Sequence, residues 1–239
     1  MLAIPVVIGV LAITFVLSYV VGNPITLYTT ERTRPEAIPG IMAEHGLNQP
    51  LYIQFFYYLR DLISGNWGYS RTARMDVTEA ISWKLPATIE LALVAMFFAV
   101  LVGIPLGILS ATRKDKVPDH ITRIIALAGV SMPIFWFALI LKYVFYYQFF
   151  VWGLPFLPEG GRYSYEYIPY TPITNFILVD SLATGNFVLF FDALVHLIMP
   201  GFALGYLTLA IITRMMRSSM LEVLKEDYIT LARSKGLRE

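Results

Sequence analysis

Four long apolar stretches dominate this sequence and restrict the folds that it can adopt. They lie at about residues 1–21, 87–110, 121–147 and 187–213. Each is close to the ~20 residues that a helix needs to cross the ~30 Å hydrocarbon core of a bilayer. Hydrophobic residues make up 57% of the chain and charged residues only 15%, a balance far from that of a soluble domain. The sequence therefore predicts an all-α, polytopic membrane helix bundle with four spans.

Positive charge is distributed unevenly between the connections, and this predicts how the chain is oriented. The loop between the second and third stretches is rich in basic residues, whereas residues 148–186 carry only Arg162. The basic residues of the loop are Arg113, Lys114, Lys116 and Arg123. Because Lys and Arg in short loops stay on the cytoplasmic side, we expect this loop, the N-terminus and the C-terminal tail to be cytoplasmic. Residues 22–86 and 148–186 then form two outer segments.

The two outer segments have different patterns. In the first, one helical stripe is formed by Leu51, Phe55, Tyr58, Leu59 and Leu62. Such a stripe is typical of an amphipathic helix on a membrane surface. The second segment is dense in Pro and Tyr, which favours irregular structure, and contains Pro155, Pro158, Pro169, Pro172, Tyr163, Tyr165, Tyr167 and Tyr170. We divide the chain into a first span at 1–21, an outer segment at 22–86 and a core region at 87–239.

Glycine pairs four residues apart stand beside a proline in two of the apolar stretches. The second stretch contains Gly103, Pro105 and Gly107, and the fourth contains Pro200, Gly201 and Gly205. Such pairs make a flat face that another helix approaches closely, and each proline frees a backbone carbonyl that a neighbour must satisfy. Two interpretations stay open. These residues only pack the bundle, or they belong to a moving helix pair that lines a pathway.

Four ionisable residues, Glu90, Lys142, Asp192 and His196, lie in the apolar stretches. Each is costly at membrane depth unless it is paired or hydrated. Glu90 and Lys142 are predicted near outer ends, where long side chains reach the headgroups. Asp192 and His196 are four residues apart and share a helix face. They fit a polar pathway, a proton relay, an outer-interface pair or a buried structural contact.

Signatures of catalysis and of nucleotide or metal binding are absent from the sequence. It contains no GxxxxGK[ST], HExxH or GxSxG motif and no cysteine, and its three histidines are scattered. Asp115, Asp119 and His120, in the basic loop, fit a solvated turn and a helix cap. We therefore predict no enzymatic activity, no metal and no cofactor. The net charge of +1 argues against a nucleic-acid partner.

The tail, residues 214–239, is predicted to contain a charged amphipathic helix under the membrane. Ser219 and Glu222 have the spacing of a capping box, which marks a helix start. An apolar seam at spacings of three and four is formed by Leu221, Leu224, Tyr228 and Leu231. Two partners fit such a helix: anionic membrane lipid, or a protein outside the bilayer.

Several segments resemble, in the same order along the chain, landmarks of the permeases of dipeptide and oligopeptide ABC importers. These segments are HGLNQPLYIQF at 45–55, GNWGYS at 65–70, LPATIELAL at 85–93, GIPLG at 103–107, SMPIFW at 131–136, LPEGG at 157–161 and the tail SSMLEVLKEDYITLARSKGLRE. The resemblance extends from about residue 5 to the last residue. So many ordered matches are more specific than any single motif.

The resemblance implies a transmembrane permease subunit in a prokaryotic plasma membrane. Such a subunit forms the translocation path with a second permease and docks two cytoplasmic ATPases, which hydrolyse ATP. An extracytoplasmic binding protein delivers the substrate, which is a di- or oligopeptide. Members of the family have six spans, so we expect this sequence to be a fragment or an abbreviated product. A secondary carrier or a membrane scaffold without an ATPase partner is the alternative interpretation.

In the wider family, the ATPases bind a coupling helix with an EAAxxxG pattern. Ala232 and Gly236 match this pattern, whereas Thr230 stands where the pattern has glutamate. The resemblance implies an ATPase-docking site formed by Tyr228, Thr230, Ala232, Arg233, Lys235 and Gly236. The interpretation of Gly236 as a helix C-cap is compatible with that role.

Overall fold

Most of the chain is helical. The computed structural model describes residues 3–30, 32–154, 157–164 and 170–236, but not the side chains of Thr230 and Arg233. Within the described residues, the strands form one short hairpin. The chain divides into two units, Met1–Leu85 and Pro86–Glu239, which are described separately.

Over its described residues, 3–30 and 32–85, the first unit contains one long apolar helix, two shorter helices, two 3-10 turns and the hairpin. In chain order these are α1, Ala3–Phe15, which continues as a π-helix over Val16–Val21; 3-10 turns at Pro24–Leu27 and Pro35–Ala37; α2, Ile38–Glu44; α3, Leu51–Ile63; β1, Tyr69–Ser70; and β2, Met75–Asp76. The two strands pair antiparallel, with Tyr69 opposite Asp76.

The amphipathic stripe predicted on α3 packs largely against the first apolar helix. The ring of Phe55 lies 5.2 Å from that of Phe15, edge to face. Tyr58 contacts both Phe15 and Tyr19. Leu51, at the start of the stripe, remains exposed. Much of this face is therefore covered by protein, because aromatic rings gain more from packing on one another than from solvent contact.

A buried carboxylate that the sequence analysis did not single out ties the turns of the first unit to α3. One oxygen of Asp61 lies 2.8 Å from Nδ1 of His45 and accepts a 3.3 Å hydrogen bond from the Tyr28 hydroxyl. The other accepts hydrogen bonds of 3.0 and 2.8 Å from Arg60. Burial raises the pKa of Asp61, but the hydrogen bonds from Arg60 and His45 outweigh it and hold this pKa below its ordinary value.

Long helices form the second unit, and α4 enters it from the first. The helices are α4, Val77–Thr112; α5, Val117–Ser131; α6, Ile134–Lys142, followed by a π-helix at Tyr143–Gln148 and α7, Phe149–Val151; α8, Ile177–Ala183; α9, Phe187–Val223; and α10, Asp227–Ser234. The α5, α6 and α8 helices all pack against α9, which is the central element of this unit.

Four of the described helices are long and apolar enough to cross a membrane. They are Ala3–Val21, Val77–Thr112, Ile134–Val151 and Phe187–Val223. Their number matches the four predicted spans, and the predicted fold class, an all-α polytopic membrane protein, is confirmed.

The third span differs from its predicted extent. The sequence predicts one helix over 121–147, whereas the chain forms α5 and α6 on either side of Met132 and Pro133. A proline ring clashes with a preceding residue that is helical, and Met132 is accordingly extended, with φ −90° and ψ 134°. The helix that has the length and apolar character of a span is Ile134–Val151.

The predicted helix start at Ser219 is wrong. The α9 helix runs through Ser219 and Glu222 to Val223, and the next helix begins at Asp227. Extending an existing helix requires no new nucleation, so the helix that crosses the membrane continues into the tail. The apolar seam predicted from Leu221 to Leu231 is consequently divided between α9 and α10.

We predict that Asp61→Ala lowers the free energy of unfolding by about 3 kcal/mol, because it leaves the partners of a buried carboxylate unpaired. Thermal unfolding of the detergent-solubilised protein, followed by circular dichroism, measures this loss. Glu44→Ala, which removes an exposed carboxylate from α2 in the same unit, is the matched control. Equal midpoints for the two variants would contradict the prediction.

Candidate functional site

The glycine pairs lie where α4 and α9 cross. A Cβ atom added to Gly107 would lie 2.6 Å from the Cβ atom of Met216. One added to Gly205 would lie 2.6 Å from the carbonyl oxygen of Ala95. Both distances are too short for real contacts, so the crossing tolerates only hydrogen at these positions.

Gly103 and Gly201 take part in the same crossing. Added Cβ atoms would lie 3.1 Å from the side chain of Ile212 and 3.0 Å from that of Val94, respectively. The Thr213 hydroxyl donates a hydrogen bond of 3.2 Å to the carbonyl oxygen of Gly103. The two helices are thus held by close van der Waals contact and one bond between a side chain and the backbone, as is usual between helices in membranes.

A third helix joins this crossing at a glycine outside the paired pattern. A Cβ atom added to Gly129 of α5 would lie 3.1 Å from Cβ of Ala210 and 3.2 Å from the ring of Tyr206. The Tyr206 hydroxyl donates a hydrogen bond of 2.9 Å to the carbonyl oxygen of Ile125. Gly129 has no glycine four residues away, so the pattern of glycine pairs does not predict its role.

The prolines that stand beside the glycine pairs lie in the helix interiors. Pro105 is inside α4 and Pro200 is inside α9, and both helices continue past them. Because proline has no N–H, the carbonyl four residues earlier loses its helical partner. In α9 that carbonyl belongs to His196.

The bundle end that carries the basic loop is organised around Asp119, which is fully buried. Arg217 of α9 donates to it at 2.8 and 3.0 Å, and Arg123 of α5 donates at 3.1 and 2.6 Å. The Ser110 hydroxyl of α4 donates at 2.5 Å and the backbone N–H of Asp115 at 2.9 Å. One carboxylate therefore joins the ends of three helices, and we call this group the Asp119 cluster.

Two guanidinium groups keep this buried carboxylate ionised. The hydrogen bond from Arg217 is the largest influence, and with those from Arg123 and Ser110 it outweighs burial and holds the pKa of Asp119 well below its ordinary value. The interpretation of Asp119 as a helix cap at a solvated turn is wrong, because Asp119 is fully buried and lies inside α5, whose N-cap is Lys116. Asp119 and Arg123 are four residues apart, a spacing from which the sequence alone could indicate an ion pair on one helix face. Arg217 lies 98 residues from Asp119, and no local pattern connects the two.

Glu90, in the first half of α4, is buried and paired, rather than extended toward headgroups as predicted. It accepts hydrogen bonds of 2.8 Å from Arg162 and from the backbone N–H of Leu178. Arg162 also donates to the carbonyl oxygen of Asn175 at 2.8 Å. Glu90 thereby fixes two parts of the second outer segment to the first half of α4.

Asp192 and His196 lie on the same face of α9, as their spacing predicts. Nδ1 of His196 lies 2.8 Å from the carbonyl oxygen of Asp192 and 3.5 Å from its carboxylate. The Asp192 carboxylate accepts hydrogen bonds of 2.7 and 2.9 Å from the backbone N–H and hydroxyl of Ser164. Asp192 is therefore an anchor for the outer segment, while His196 is buried.

Asp180 of α8 organises the remainder of this outer segment. It accepts hydrogen bonds from the Tyr170 hydroxyl at 2.7 Å, from the Thr174 hydroxyl at 2.6 Å and from the backbone N–H of Ile173 at 3.0 Å. Burial raises the pKa of Asp180, but these bonds outweigh it and lower the pKa.

Four of the residues on which irregular structure was predicted, Pro155, Tyr165, Tyr167 and Pro169, lie outside the described residues.

A cavity of about 360 Å³ lies between α4, α6, α9 and the start of the outer segment. Its ionisable lining residues are Glu90, Lys142, Glu159, Arg162 and His196. Lys142 donates a hydrogen bond of 3.2 Å to Glu159, so the cavity contains two acid–base pairs. Pro200 is part of its apolar wall. The cavity brings together four ionisable side chains from three sequence regions with His196, a predicted site residue.

The coupling segment predicted in the tail lies on α10 and the turn after it. Tyr228 is 59% exposed, Lys235 is exposed and Ala232 is half-buried. The side chains of Thr230 and Arg233 lie outside the described residues.

Gly236 ends the coupling segment in the left-handed region, with φ +72°. This is the conformation of a glycine that terminates a helix. Among the described residues, no atom lies within 4 Å of a Cβ atom added to Gly236. Both interpretations of this glycine, as a C-cap and as a docking residue, stay compatible with its geometry.

Comparison with known proteins gives matches over nearly the whole chain. Residues 103–239 match the family described as binding-protein-dependent transport system inner membrane component. Residues 1–93 match the N-terminal region of the membrane components of the same systems.

Individual relatives agree with this. The chain is 43% identical to the protein named "Probable D,D-dipeptide transport system permease protein DdpB" of Escherichia coli, over 97% of this chain and 67% of the relative. It is 40% identical to the dipeptide transport system permease protein DppB of Alkalihalophilus pseudofirmus, over 99% of this chain and 69% of the relative. Identity to the oligopeptide transport system permease protein AppB of Bacillus subtilis is 32%, over 100% of this chain and 69% of the relative.

We predict that Gly205→Ala lowers the free energy of unfolding by about 1–3 kcal/mol, because its Cβ atom would meet the backbone of α4. Gly9→Ala is the control, since a Cβ atom at Gly9 would meet nothing within 4 Å. Tryptophan fluorescence during thermal unfolding in detergent compares the two. A Gly205→Ala variant as stable as Gly9→Ala would contradict the close crossing.

We predict that Asp119→Asn lowers the free energy of unfolding by about 3 kcal/mol, because two arginine side chains lose their buried counter-charge. The control is Asp115→Asn, in which an exposed carboxylate is replaced by a residue that also tolerates the left-handed backbone, φ +60°, at that position. Chemical unfolding at pH 7 measures both. Similar losses in the two variants would show that the Asp119 cluster has no special role.

The lowered pKa of Asp119 fixes the pH range of this stabilisation. A carboxylate whose pKa is depressed on folding stabilises the protein above its unfolded value, near 3.8, and loses this effect as pH falls through the folded pKa. The stability difference between the native chain and Asp119→Asn should thus stay constant from pH 7 to pH 5. A difference that shrinks within this interval would contradict the pKa assignment.

Proposed function

Because this chain belongs to the family of binding-protein-dependent transport system inner membrane components, we propose that it is a permease subunit of an ATP-driven peptide importer. With a second, similar permease it lines the translocation path, and two cytoplasmic ATPases drive its movements. A binding protein outside the membrane delivers di- or oligopeptides, the substrates named in the relatives. The chain itself hydrolyses no ATP.

The Asp119 cluster supports a cytoplasmic position for both the basic loop and the tail. It joins the end of α4 and the start of α5 to Arg217, near the end of α9. The basic residues of the loop and α10 therefore lie at the same end of the bundle. Since Lys and Arg concentrate on the cytoplasmic side, this end faces the cytoplasm and the cavity with Glu90 faces outward.

The length of α9 supports its role as a lever. Its 37 residues span about 55 Å, whereas the hydrocarbon core is ~30 Å thick. Roughly 25 Å of continuous helix thus extends beyond the hydrocarbon. A force applied to α10 is transmitted to the membrane through a rigid element.

The single observation that carries this proposal is that α9 runs on from the Asp119 cluster to Val223 and is joined by a short turn to α10, which begins at Asp227. Closure of the ATPases upon ATP binding displaces α10, and α9 follows it. Because Arg217 fixes α9 to α4 and α5, the three helices move at this end as one group. The crossing at Gly107 and Gly205, which rests mainly on van der Waals contacts, lets α4 and α9 adjust against each other. The path then alternates between outward and inward access.

The docking surface is formed by exposed side chains of α10 and the open backbone at Gly236. Tyr228 and Leu231 are more than half exposed although both are apolar or aromatic, as expected for residues that a partner covers. No described residue covers Gly236, which supports a close approach by the ATPase surface there.

We predict that Gly236→Trp abolishes co-purification of the ATPase subunits, because the indole occupies the space that the partner needs. Affinity purification of the tagged permease from membranes, with quantification of bound ATPase, is the measurement. Gly236→Asn is the control, since asparagine tolerates the left-handed backbone and is small. It should retain most of the bound ATPase.

The amount of each variant in the membrane separates docking from folding. Both variants should insert to the native level, because a Cβ atom at Gly236 meets no atom of the described residues within 4 Å. Native levels of ATPase bound to Gly236→Trp would refute the docking role. Failure of the unaltered chain to co-purify with any ATPase would refute the proposed function itself.

A further inference from the structure

The cavity between α4, α6 and α9 differs from an ordinary packing defect in its charges. Its volume, about 360 Å³, lies at the lower end of the range for small-molecule sites. It contains two carboxylates, the basic groups of Lys142 and Arg162, and the imidazole of His196, within an otherwise largely apolar wall that includes Ala138, Leu197, Met199 and Pro200. Such a combination provides charged contacts for a small polar ligand and apolar contacts for its side chains.

The two acid–base pairs in this cavity differ in how easily they can open. The side chains of Glu90 and Arg162 are only 7% and 23% exposed, and Glu90 is bonded to Leu178 as well. Separating them would leave a buried carboxylate uncompensated. This pair is therefore a fixed part of the wall.

Lys142 and Glu159 form the replaceable pair. Their side chains are 44% and 64% exposed, and the Nζ–Oε1 distance is 3.2 Å. An exposed pair of long, flexible side chains contributes little to stability, so another ion can take the place of either partner. The other hydrogen bond to this carboxylate comes from the Tyr146 hydroxyl, at 3.3 Å.

We infer that this cavity binds the two charged termini of a short peptide, with Lys142 contacting its carboxylate and Glu159 contacting its ammonium group. The inference rests on the proposed function, which supplies peptides as the substrate class. A zwitterion replaces both partners of the open pair at once, so no charge is left uncompensated. An extended dipeptide is at most about 7 Å long, a distance that the two side chains span when they swing apart. Amides and N-acylated peptides lack one of these contacts.

The site lies at the outer mouth of the proposed path. Pro200, in the interior of α9, forms part of its wall, and so does Ala87 of α4. Movement of α9 against α4 consequently changes the shape of the cavity. A peptide released by the binding protein would be held here before the path opens inward.

Direct binding to the importer complex, purified in detergent without its binding protein, tests this site. Equilibrium dialysis with radiolabelled dialanine, N-acetyl-dialanine and dialanine amide gives the three dissociation constants. The unaltered complex should bind dialanine about tenfold more tightly than either blocked peptide, because each blocked peptide loses one charge-assisted contact.

Two single variants assign the contacts, and a third is the control. Glu159→Gln should remove the preference for a free amine but keep that for a free carboxylate, and Lys142→Gln should do the reverse. A structural defect would not produce these opposite patterns. Lys84→Gln changes an exposed lysine that does not line the cavity and should bind all three peptides as the unaltered complex does.

Equal binding of the three peptides, or an unchanged preference in either cavity variant, overturns the inference. Uptake of dialanine by proteoliposomes that contain the complete importer and its binding protein tests the proposed function separately. If uptake occurs while the detergent complex does not discriminate between termini, the peptide site is wrong and the importer function stands. If no uptake occurs, the proposed function fails first.

Discussion

Asp119 accepts hydrogen bonds from two arginine side chains while fully buried, and the arrangement of the second unit depends on this interaction. An isolated carboxylate would not remain ionised in such a place, because loss of hydration costs more than one weak contact returns. Two guanidinium groups and a hydroxyl replace the lost water. Since these donors come from α4, α5 and α9, the charge is stable only when all three helix ends are together. The cluster therefore specifies one arrangement rather than merely adding stability.

The sequence predicts the class of this fold because membrane spans are encoded locally. Length and apolar content predict spans at 1–21, 87–110 and 187–213 without knowledge of any contact, and these overlap the apolar helices Ala3–Val21, Val77–Thr112 and Phe187–Val223. The partners of a charged residue are encoded elsewhere in the chain. Arg217 is 98 residues from Asp119, and Arg162 is 72 residues from Glu90, so a single sequence reveals neither pairing. Both acids were consequently interpreted as solvated or interfacial. The tail shows the converse case, in which a real capping pattern at Ser219 is overridden because α9 is already formed.

Three kinds of contact hold the second unit at different depths. At one end the contact is an ion-pair cluster, at the centre it is the fit of glycines against a neighbouring helix, and at the other end carboxylates bind backbone N–H groups of the outer segment. Ion pairs and hydrogen bonds fix the ends in definite positions. The glycine crossing consists mainly of short-range contacts without strong directionality, so small displacements there cost less. A transporter that changes shape requires this distribution, with firm ends and an adjustable centre.

The break between α5 and α6 at Met132 and Pro133 affects how the helices accommodate insertions and deletions. In an uninterrupted helix, adding or deleting one residue rotates every later side chain by about 100° around the axis. Here the extended backbone at Met132 ends the rotational register of α5, and α6 begins its own. The face of α6 that packs on α9 is therefore independent of the length of α5. Insertions in α5 would leave the face of α6 that packs on α9 unchanged. The lengths of α5 and α6 can therefore change separately during evolution.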